Sequence, residues 1–380
     1  MGIKPLHICF VSPEFPDQRL LPAAGIGFSI LNLAKALIEQ DHKVTVVVYR
    51  QQKSTEFTEN GIRIIALSAT NNPFYSRFYW RVDLAHRVEM LHKIESFDVI
   101  EVPDYEGSAA FFRLHLPIIV KLHGSLSYFD FLLKRKPKFT YYFFEKRALQ
   151  RAKFVTSVSH FAAKITKEVF NLDFNHKVVF NAVAIDGYQQ SESALAILYF
   201  GSLIEKKGFL ELPAIFERIA QEHPHVEFWF AGKDFITGSG KSTKASFFEL
   251  LQPKFHHRIK DFGMLPAPEL KQLLAQASVC IFPSFAEALP MAWLEAMAAG
   301  KAIAASNIGW AEELLTHREN ALLCHPTNHD TFAKHILDLL ESPELRKSYG
   351  SKVQQLVNEK FTLEKIAKLH IDLYKQFGKH

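Results

Sequence analysis

Short apolar runs alternate with amphipathic runs along the whole chain. Apolar residues at steps of three and four predict helices, and short apolar runs bounded by polar residues predict buried strands. The predicted strands form two series, His7–Val11, Lys43–Tyr49, Arg63–Leu67, Val99–Val102, Ile118–Leu122, Phe154–Val158 and Val178–Phe180, then Ala196–Phe200, Glu227–Ala231, Arg258–Phe262, Val279–Phe282, Ala302–Ala305 and Ala321–Cys324. Helices are predicted between them, among others at Phe28–Gln40, Phe161–Phe170, Leu210–Gln221 and Glu269–Gln276. This alternation indicates parallel sheets covered by helices on both faces.

A polar stretch without any period, Val183–Ser193, separates the two series and predicts a domain boundary. The chain is therefore expected to be α/β, with two doubly wound Rossmann-like domains, residues 1–182 and 194–357, facing a cleft. A final amphipathic run, Thr362–Phe377, predicts a helix that folds back across either domain, and we assign it to the first. Because ligands bind beyond the carboxyl ends of the strands in such sheets, function is expected in the loops that follow strands.

Composition narrows the class of protein without identifying it. The chain has 380 residues and a net charge of +5, from 45 basic and 40 acidic residues, and this modest excess does not indicate a nucleic-acid binder. Cys9, Cys280 and Cys324 lie far apart in apolar runs, so neither a disulfide framework nor a zinc site is predicted. The N-terminal apolar run is too short for a signal peptide, and no apolar run approaches the length of a membrane span. A cytoplasmic protein, free or peripheral at a membrane, is therefore expected.

The strongest chemical pattern follows the predicted strand that ends at Phe282. A loop carries Glu287, a helix is predicted to begin near Pro290, and Glu295 lies inside that helix. The first turn of a helix offers free N–H groups and the positive end of its dipole, which suit a phosphate. Carboxylates beside it accept hydrogen bonds from sugar or ribose hydroxyls. The alternative is that Glu287 only complements the helix dipole and that Glu295 is a solvated helix residue.

This pair of glutamates resembles a known signature. Pro283-Ser284, Glu287-Ala288-Leu289-Pro290 and Leu294-Glu295-Ala296-Met297-Ala298 together are similar to the motif of family-four nucleotide-sugar glycosyltransferases, which are retaining enzymes with the two-Rossmann GT-B fold. Three further segments resemble elements of that family, in the same order along the chain: Phe180–Val183, Phe200–Gly208 and Ser306–Glu313. The resemblance extends over nearly the whole chain.

The resemblance implies a role for individual residues. Glu287 would hold hydroxyls of the donor sugar, Glu295 would hold the ribose, and Lys207 would neutralise the departing diphosphate, where a fixed cation lowers the barrier. The other donor-binding residues that it implies are Gly25, Gly27, Ser202, Met264, Leu265, Ala288, Leu289, Pro290 and Met291. No Asp-x-Asp occurs, which disfavours a metal-dependent sugar transferase. We therefore expect no metal and no cofactor, with the nucleotide-sugar acting as co-substrate.

Two loops of the first domain carry weaker signals. Gly25 and Gly27 let the backbone approach a ligand closely, but a dinucleotide fingerprint fails because its third glycine falls on Ile30. By resemblance, this loop lies over the donor phosphates and the acceptor. His123 follows the predicted strand Ile118–Leu122, and a lone histidine is more often structural. By resemblance, it is the histidine that lies near the reacting sugar, and we include it among the catalytic candidates.

Some positions depart from the family pattern. Ser202 stands where an arginine is usual, so Lys207, helped by Lys206, has to carry the phosphate charge. Pro290 stands where many members have glycine, which removes one backbone donor. Trp310 replaces a glycine and is expected to narrow a loop near the sugar or phosphate.

A P-loop is an alternative nucleotide site. The segment Thr237–Thr243 contains Gly240-Lys241 after a predicted strand, but the first glycine that the motif needs falls on Phe235. We interpret the segment as a Gly/Ser/Lys loop at the edge of the cleft, in which Asp234 and Lys241 are candidate contacts to a donor.

The stretch Tyr128–Phe154 concentrates both positive charge and aromatic rings. Its eight basic and two acidic residues give a net charge of +6, so the rest of the chain carries −1, and nine aromatic residues are interleaved with them. A packed helix with a solvated basic face, or a nucleic-acid surface, are the alternatives. The sharper hypothesis is a surface for an anionic membrane or for a lipid-linked sugar phosphate.

Taken together, the sequence predicts a retaining, metal-independent glycosyltransferase. It would move a hexose-type sugar from a nucleotide-sugar to a glycan, lipid-linked or small-molecule acceptor, in polysaccharide or glycoconjugate synthesis, and no nucleic-acid partner is expected. The competing interpretations are a sugar-nucleotide epimerase or phosphorylase of the same fold, a non-catalytic nucleotide-sugar-binding protein, and a P-loop ATPase.

Overall fold

A computed structural model describes residues 4–69, 78–113, 115–189, 191, 193–236 and 240–377. The chain divides into two compact units, one formed by residues 1–182 together with 363–380, the other by residues 183–362. The polar stretch that the sequence indicated as a boundary belongs to the second unit. The C-terminal helix, Leu363–Phe377, belongs to the first.

The first unit is built on one sheet, to which eight of its described strands belong. The strands are β1 (His7–Ser12), β2 (Lys43–Gln51), β3 (Thr55–Glu59), β4 (Ile62–Ser68), β5 (Val99–Pro103), β6 (Ile118–Leu122), β7 (Phe154–Ser157) and β8 (His176–Val178). They lie in the order β3-β4-β2-β1-β5-β6-β7-β8, and every pair is parallel except β3 with β4. The helices are α1 (Gly25–Ile38), α2 (Tyr79–Glu95), α3 (Leu126–Leu132), α4 (Phe139–Arg151) and α5 (His160–Phe170), with a short 3₁₀ turn at Tyr105–Gly107.

The second unit contains a parallel sheet to which six of its described strands belong. The strands are β9 (Ala196–Phe200), β10 (Glu227–Ala231), β11 (Ile259–Asp261), β12 (Val279–Phe282), β13 (Ala302–Ser306) and β14 (Leu322–Cys324), in the order β11-β10-β9-β12-β13-β14. Its helices are α6 (Leu212–Glu222), α7 (Thr243–Leu250), α8 (Ala267–Gln276), α9 (Met291–Ala298), α10 (His329–Glu341) and α11 (Pro343–Lys360); α12 (Leu363–Phe377) follows in the chain. Short 3₁₀ turns lie at Glu205–Lys207, Phe209–Glu211, Pro253–Arg258 and Ala311–Glu313.

Both sheets have the doubly wound order. In the second unit the strands read 3-2-1-4-5-6 from one edge to the other, and the six central strands of the first unit read the same way. The expected fold class, two Rossmann-like α/β domains with parallel sheets, is confirmed. In such a sheet the order reverses between the first and fourth strands, here between β1 and β5 and between β9 and β12.

Local sequence explains where several helices begin. A serine or asparagine side chain before the first turn accepts a hydrogen bond from a backbone N–H that has no partner inside the helix. The residues that do this are Ser125, Ser159, Ser242, Asn328 and Ser342. Their short polar side chains therefore set the positions of the helices over the sheets.

Buried polar contacts as well as apolar packing hold α12 in the first unit. Its buried residues Ile371 and Tyr374 pack in the same core as Ile8 and Phe10. The Tyr374 hydroxyl also donates to the buried carboxylate of Glu101 at 2.8 Å. Helix α12 is therefore an integral part of the first unit.

The structure differs from the sequence expectations at the sheet edges. Strand β3 was not predicted, and it makes the first sheet mixed where an all-parallel sheet was expected. Strand β8 lies at His176–Val178 instead of Val178–Phe180, and β11 is shorter than the predicted run. The three cysteines are buried and make no disulfide. Within the described part of the chain, no helix is long and apolar enough to cross a membrane.

Candidate active site

The candidate site of the second unit lies where the strand order reverses. Strands β9 and β12 are neighbours there, and the loops after them carry Lys207 and Glu287. Because parallel strands end at the same edge of a sheet, the two loops meet although 80 residues separate them. The Lys207 ammonium donates to Oε1 of Glu287 at 2.7 Å.

The Glu287 carboxylate is buried and hydrogen-bonded. The residue is 6% exposed, and the Ser284 hydroxyl donates to its Oε1 at 3.3 Å. The Phe285 N–H donates to the Lys206 carbonyl at 2.9 Å, which ties the two loops together through their backbones. The sequence pattern indicated Lys207 and Glu287 separately, and the structure shows them as a hydrogen-bonded ion pair.

Gly208 makes this close approach possible. It has φ of +69°, and a Cβ added to it would lie 1.9 Å from the carbonyl oxygen of Pro283. A side chain at this position would therefore push the loop after β9 away from the loop after β12. The glycine is required by the geometry that places Lys207.

Gly208→Ala is expected to destabilise the second unit by at least about 3 kcal/mol, since the left-handed backbone and the clash both oppose it. Gly263→Ala is the matched control, because Gly263 has φ of +61° but open space around an added Cβ. The control should lose only about 1–2 kcal/mol. Urea unfolding measures both values, and equal losses would show that the approach of the two loops does not depend on Gly208.

Lys206 adds a second positive group to the same loop. The pKa of Lys206 is lowered to about 8, mainly by burial; the charge of Glu287 opposes this shift and the charge of Lys207 adds to it. Ser202, on the same loop, is half-buried, and its carbonyl accepts from the Tyr199 hydroxyl at 2.8 Å. The loop after β9 therefore carries two lysines, Lys206 and Lys207, in addition to Ser202.

Glu295 lies in the second turn of α9, eight residues beyond Glu287. Burial raises the pKa of the Glu295 carboxyl to about 7, while the charges of Lys271 and Lys207 oppose this rise. Burial and the nearby charge of Glu295 raise the pKa of the Tyr188 phenol. The Lys271 ammonium lies 4.7 Å from the centroid of the Tyr188 ring. The ammonium of Lys271 also donates to the Asp186 carbonyl.

The raised pKa of Glu295 predicts a pH-dependent stability. An acid with a higher pKa in the folded state binds more protons when folded, so its contribution to stability falls as the pH rises from about 4.5 to about 7. Glu295→Gln removes this loss. The stability of E295Q relative to wild type should therefore rise by on the order of 2 kcal/mol between about pH 5 and about pH 8.

Glu227→Gln is the control for this titration. A hydrogen bond from Lys260 lowers the pKa of Glu227, so its stabilising contribution is complete above the ordinary pKa of a glutamate and is lost only in more acidic solution. The difference between E227Q and wild type should then stay constant over the same pH range. Chemical denaturation at several pH values measures both, and a flat difference for E295Q would contradict the assigned environment.

The remaining donor candidates of the second unit lie in two places. Ala288, Leu289 and Met291 are buried around the start of α9, and Pro290 is the residue before its first turn. Met264 and Leu265 lie in the loop after β11, where the Met264 side chain is 58% exposed. Trp310 is fully buried, so its ring packs inside the unit.

The candidates of the first unit have their own surroundings. The Gly27 N–H donates to Oε1 of Glu14 at 2.9 Å, and an added Cβ would lie 2.9 Å from the Cβ of Ala23. Gly25, the first residue of α1, is exposed and has open space around it. Only Gly27 is therefore required by close packing.

His123 follows β6 at the carboxyl edge of the first sheet. Its backbone N–H donates to Oδ1 of Asp104 at 2.9 Å. Burial and the charge of Lys121 lower the pKa of His123 well below its ordinary value, so the ring is neutral. Burial raises the pKa of Asp104 to about 8, and the charge of Glu145 acts in the same direction. A residue with a neutral imidazole is thus bound through its backbone to a carboxyl group that is largely protonated near neutral pH.

Sequence reasoning missed several of these groups. Tyr188 falls in the aperiodic stretch that was interpreted as a boundary, and Lys271 has the appearance of a solvated helix residue. Asp104 directly follows β5, so its place after a strand was an available signal. Of the P-loop-like segment, residues 237–239 lie outside the described residues. Lys241 pairs with Glu249 at 2.9 Å, and Asp234 accepts from the Lys244 N–H at 3.0 Å at the start of α7.

Comparison with known proteins agrees with this architecture. A family model described as "Glycosyltransferase Family 4" matches residues 23–186, and one described as "Glycosyl transferases group 1" matches residues 186–356. An uncharacterized glycosyltransferase of Methanocaldococcus jannaschii is 23% identical over 97% of this chain and 98% of its own length. The gpi3 subunit of the phosphatidylinositol N-acetylglucosaminyltransferase of Schizosaccharomyces pombe is 22% identical over 87% of this chain and 74% of its own length.

Two solved structures show the same fold. Sucrose-phosphate synthase from Thermosynechococcus elongatus superimposes with a TM-score of 0.83 at 18% identity, over 98% of both chains. Anabaena HepE in complex with UDP-glucose gives a TM-score of 0.74 at 19% identity, over 98% of this chain and 100% of its own. Since the two family models together span residues 23–356 and these neighbours share the fold over nearly its whole length, the chain belongs to the GT-B glycosyltransferases of family four.

Proposed function

We propose that this protein is a retaining glycosyltransferase that transfers a hexose-type sugar from a nucleotide-sugar, with the donor bound by the second unit. The observation that carries the proposal is the Lys207–Glu287 ion pair at the point where the strand order reverses, with Glu295 on the following helix. At this edge of the sheet, the cation matches the diphosphate of a nucleoside diphosphate sugar, and the two carboxylates match its hydroxyls. The UDP-glucose held by Anabaena HepE, which has this fold, supports a nucleotide-sugar as donor.

Lys207 acts on the leaving group in this mechanism. Breaking the bond between the anomeric carbon and the diphosphate leaves negative charge on a phosphate oxygen, and a fixed ammonium stabilises that charge as it forms. Lys206, whose pKa is about 8, adds to the positive potential of the loop. The start of α9 at Met291, with its backbone N–H groups and dipole, lies on the adjacent loop and would bind phosphate oxygens.

Glu287 orients the sugar. A carboxylate has two oxygens with about four acceptor positions, so it can hold Lys207 and Ser284 through Oε1 and still accept bonds from sugar hydroxyls. Glu295 accepts from the ribose hydroxyls, and Tyr188 and Lys271 fix its surroundings. A hydroxyl group can pair with Glu295 in either protonation state, which suits a carboxyl with a pKa of about 7.

The first unit would bind the acceptor, a glycan, a lipid-linked sugar or a small molecule. His123, Gly25 and Gly27 are the candidates of the first unit for contacts to the substrates. Retention would follow from attack on the same face that the diphosphate leaves, with the leaving phosphate taking the proton of the acceptor. The reaction would need no metal, and it would serve polysaccharide or glycoconjugate synthesis in the cytoplasm.

The proposal is tested with a panel of nucleotide-sugars. Thermal shifts identify the donors that bind, and NMR of the products formed from those donors reports transfer and the configuration at the anomeric carbon. We expect a nucleoside diphosphate and a product with the anomeric configuration of the donor, at a rate that EDTA leaves unchanged. An inverted product would overturn retention, and loss of the rate in EDTA would overturn metal independence.

A non-catalytic nucleotide-sugar-binding protein is the second candidate, because Ser202 replaces the arginine that usually contacts the phosphates. A donor that raises the melting temperature but is neither hydrolysed nor transferred would favour it. The same product analysis separates an epimerase, which would return an isomer of the nucleotide-sugar, and a phosphorylase, which would consume inorganic phosphate.

A further inference from the structure

Four exposed aromatic residues of the first unit form two contacting pairs that are linked through the buried ring of Phe144. We call Phe78, Tyr79, Phe139 and Phe143 the aromatic ridge; their exposed fractions are 47%, 52%, 78% and 45%. The rings of Phe139 and Phe143, one helical turn apart on α4, are stacked with centroids 6.1 Å apart. The ring centroid of Phe144 lies 5.2 Å from that of Phe143 and 5.6 Å from that of Phe78. Single exposed apolar residues are ordinary, but a contiguous set marks an interaction surface.

A basic segment leads directly into this ridge. We call residues 134–138 the basic loop; it connects α3 to α4 and exposes Lys134, Arg135, Lys136 and Lys138. In the described part of the chain, the three lysines of the loop take part in none of the ion pairs. Lys138 immediately precedes Phe139, so positive charge and exposed rings are adjacent.

The stretch that contains the basic loop has only two acidic residues, Asp130 and Glu145. Glu145 is 1% exposed, and its carboxylate accepts from the backbone N–H groups of Leu126 and Ser127 at 2.9 and 3.1 Å. Asp130, the other acid of the stretch, is half-buried. Residues 128–154 carry a net charge of +6, whereas the rest of the chain carries −1.

Packing within the unit does not account for these side chains. Helix α4 buries its other face, with Phe144, Ala148 and Leu149, in the unit. Phe139 and Phe143 face away from that core. One alternative was a packed helix with a solvated basic face. It explains the buried face of α4 but not the exposed rings of Phe139 and Phe143.

We propose that the aromatic ridge and the basic loop form a docking surface for an anionic lipid bilayer. Lysines at the surface attract acidic headgroups, and apolar rings enter the interface between headgroups and acyl chains. The strength of membrane binding increases both with the apolar area that is buried and with the electrostatic attraction to anionic lipids. The proposal does not depend on the donor site; that the bilayer also presents the acceptor rests on the proposed glycosyltransferase function.

The arrangement of the rings favours a bilayer over a nucleic acid. Rings that bind single-stranded nucleic acid stand apart so that a base can stack on each face. The rings of the ridge instead contact one another or Phe144, with centroids 5.2 to 6.3 Å apart. Phenylalanine also offers no polar atom for the edge of a base.

The test is flotation of the purified full chain with vesicles of equimolar phosphatidylglycerol and phosphatidylcholine. Wild type is expected to float with these vesicles and to be released from them by high salt. It is not expected to bind vesicles of pure phosphatidylcholine. The triple variant K134Q/K136Q/K138Q should bind about 100-fold more weakly, since each lysine contributes about fivefold. The double variant F139S/F143S should bind at least about tenfold more weakly at every salt concentration.

Two control variants remove charge or apolar surface from other parts of the chain. K347Q/K352Q/K360Q removes the same charge from exposed positions of α11, and Ile94→Ser removes an apolar residue that is 75% exposed on α2. Both controls should bind like wild type, and circular dichroism should show every variant folded. Absence of vesicle binding by wild type, an equal loss in the controls, or binding to a single-stranded oligonucleotide in place of vesicles would each overturn the proposal. Vesicle binding without any transfer activity would support the docking surface and overturn the proposed glycosyltransferase function.

Discussion

Lys207→Ala is expected to lower kcat for sugar transfer about 10²- to 10³-fold. The ammonium acts on charge that appears only as the diphosphate leaves, so its removal raises the transition state more than the bound donor. KM for the donor should change much less than kcat. Initial rates of nucleoside diphosphate release, measured over a range of donor concentrations, separate the two parameters.

Lys260→Ala is the matched control for this variant. The Lys260 ammonium pairs with Glu227 at 2.7 Å, the same distance as Lys207 to Glu287, but on the outer strands of the same sheet. Its loss should leave kcat within about twofold of wild type, because a surface ion pair contributes little. Wild-type turnover in Lys207→Ala would show that this lysine does not stabilise the leaving group.

Glu287→Gln is expected to lower kcat at least about 10²-fold. The amide keeps the shape of the side chain but loses the negative charge that holds Lys207 and that accepts strongly from sugar hydroxyls. The sugar should therefore be less well oriented, and the Lys207 ammonium less well positioned. Glu227→Gln is the corresponding control, and equal rates for E287Q and wild type would contradict the role of this carboxylate.

The two substitutions should not be additive. Residues in direct contact share one interaction, so the double variant K207A/E287Q should lose much less than the product of the two single losses. A double-mutant cycle on kcat measures this coupling. Losses that simply multiply would show that the ion pair does not work as a unit.

The sequence predicted the fold well because the physical signal was strong. Strands such as Ile118–Leu122 and Ala196–Phe200 are buried on both faces, so they are continuous apolar runs, and the structure has them at the predicted bounds. The exposed edge strand β3, Thr55–Glu59, carries mostly polar residues and gave no such run. A signal for it was nevertheless present. Asn60 and Gly61 both have positive φ, as a tight hairpin turn requires, and Asn-Gly is the usual pair there.

The candidate site was predictable only where residues lie close together in the sequence. Glu287 and Glu295 share one loop and helix, and their spacing was visible. The pairing of Lys207 with Glu287 depends on the neighbouring positions of β9 and β12, and the periodicity of a single strand does not encode its neighbour. The pKa of about 7 at Glu295 arises from burial, against the opposing charges of lysines on other elements, so it could not be read from the motif.

The central claim is that the Lys207–Glu287 site transfers a sugar from a nucleotide-sugar. The most direct measurement is NMR of the reaction of wild type and Lys207→Ala with a donor that thermal shift shows to bind both. We expect wild type to release nucleoside diphosphate and to form a product that keeps the anomeric configuration. We expect the variant to bind the donor but to turn it over at least about 10²-fold more slowly. A wild type that binds donors without ever cleaving them, or a variant as fast as wild type, would contradict it.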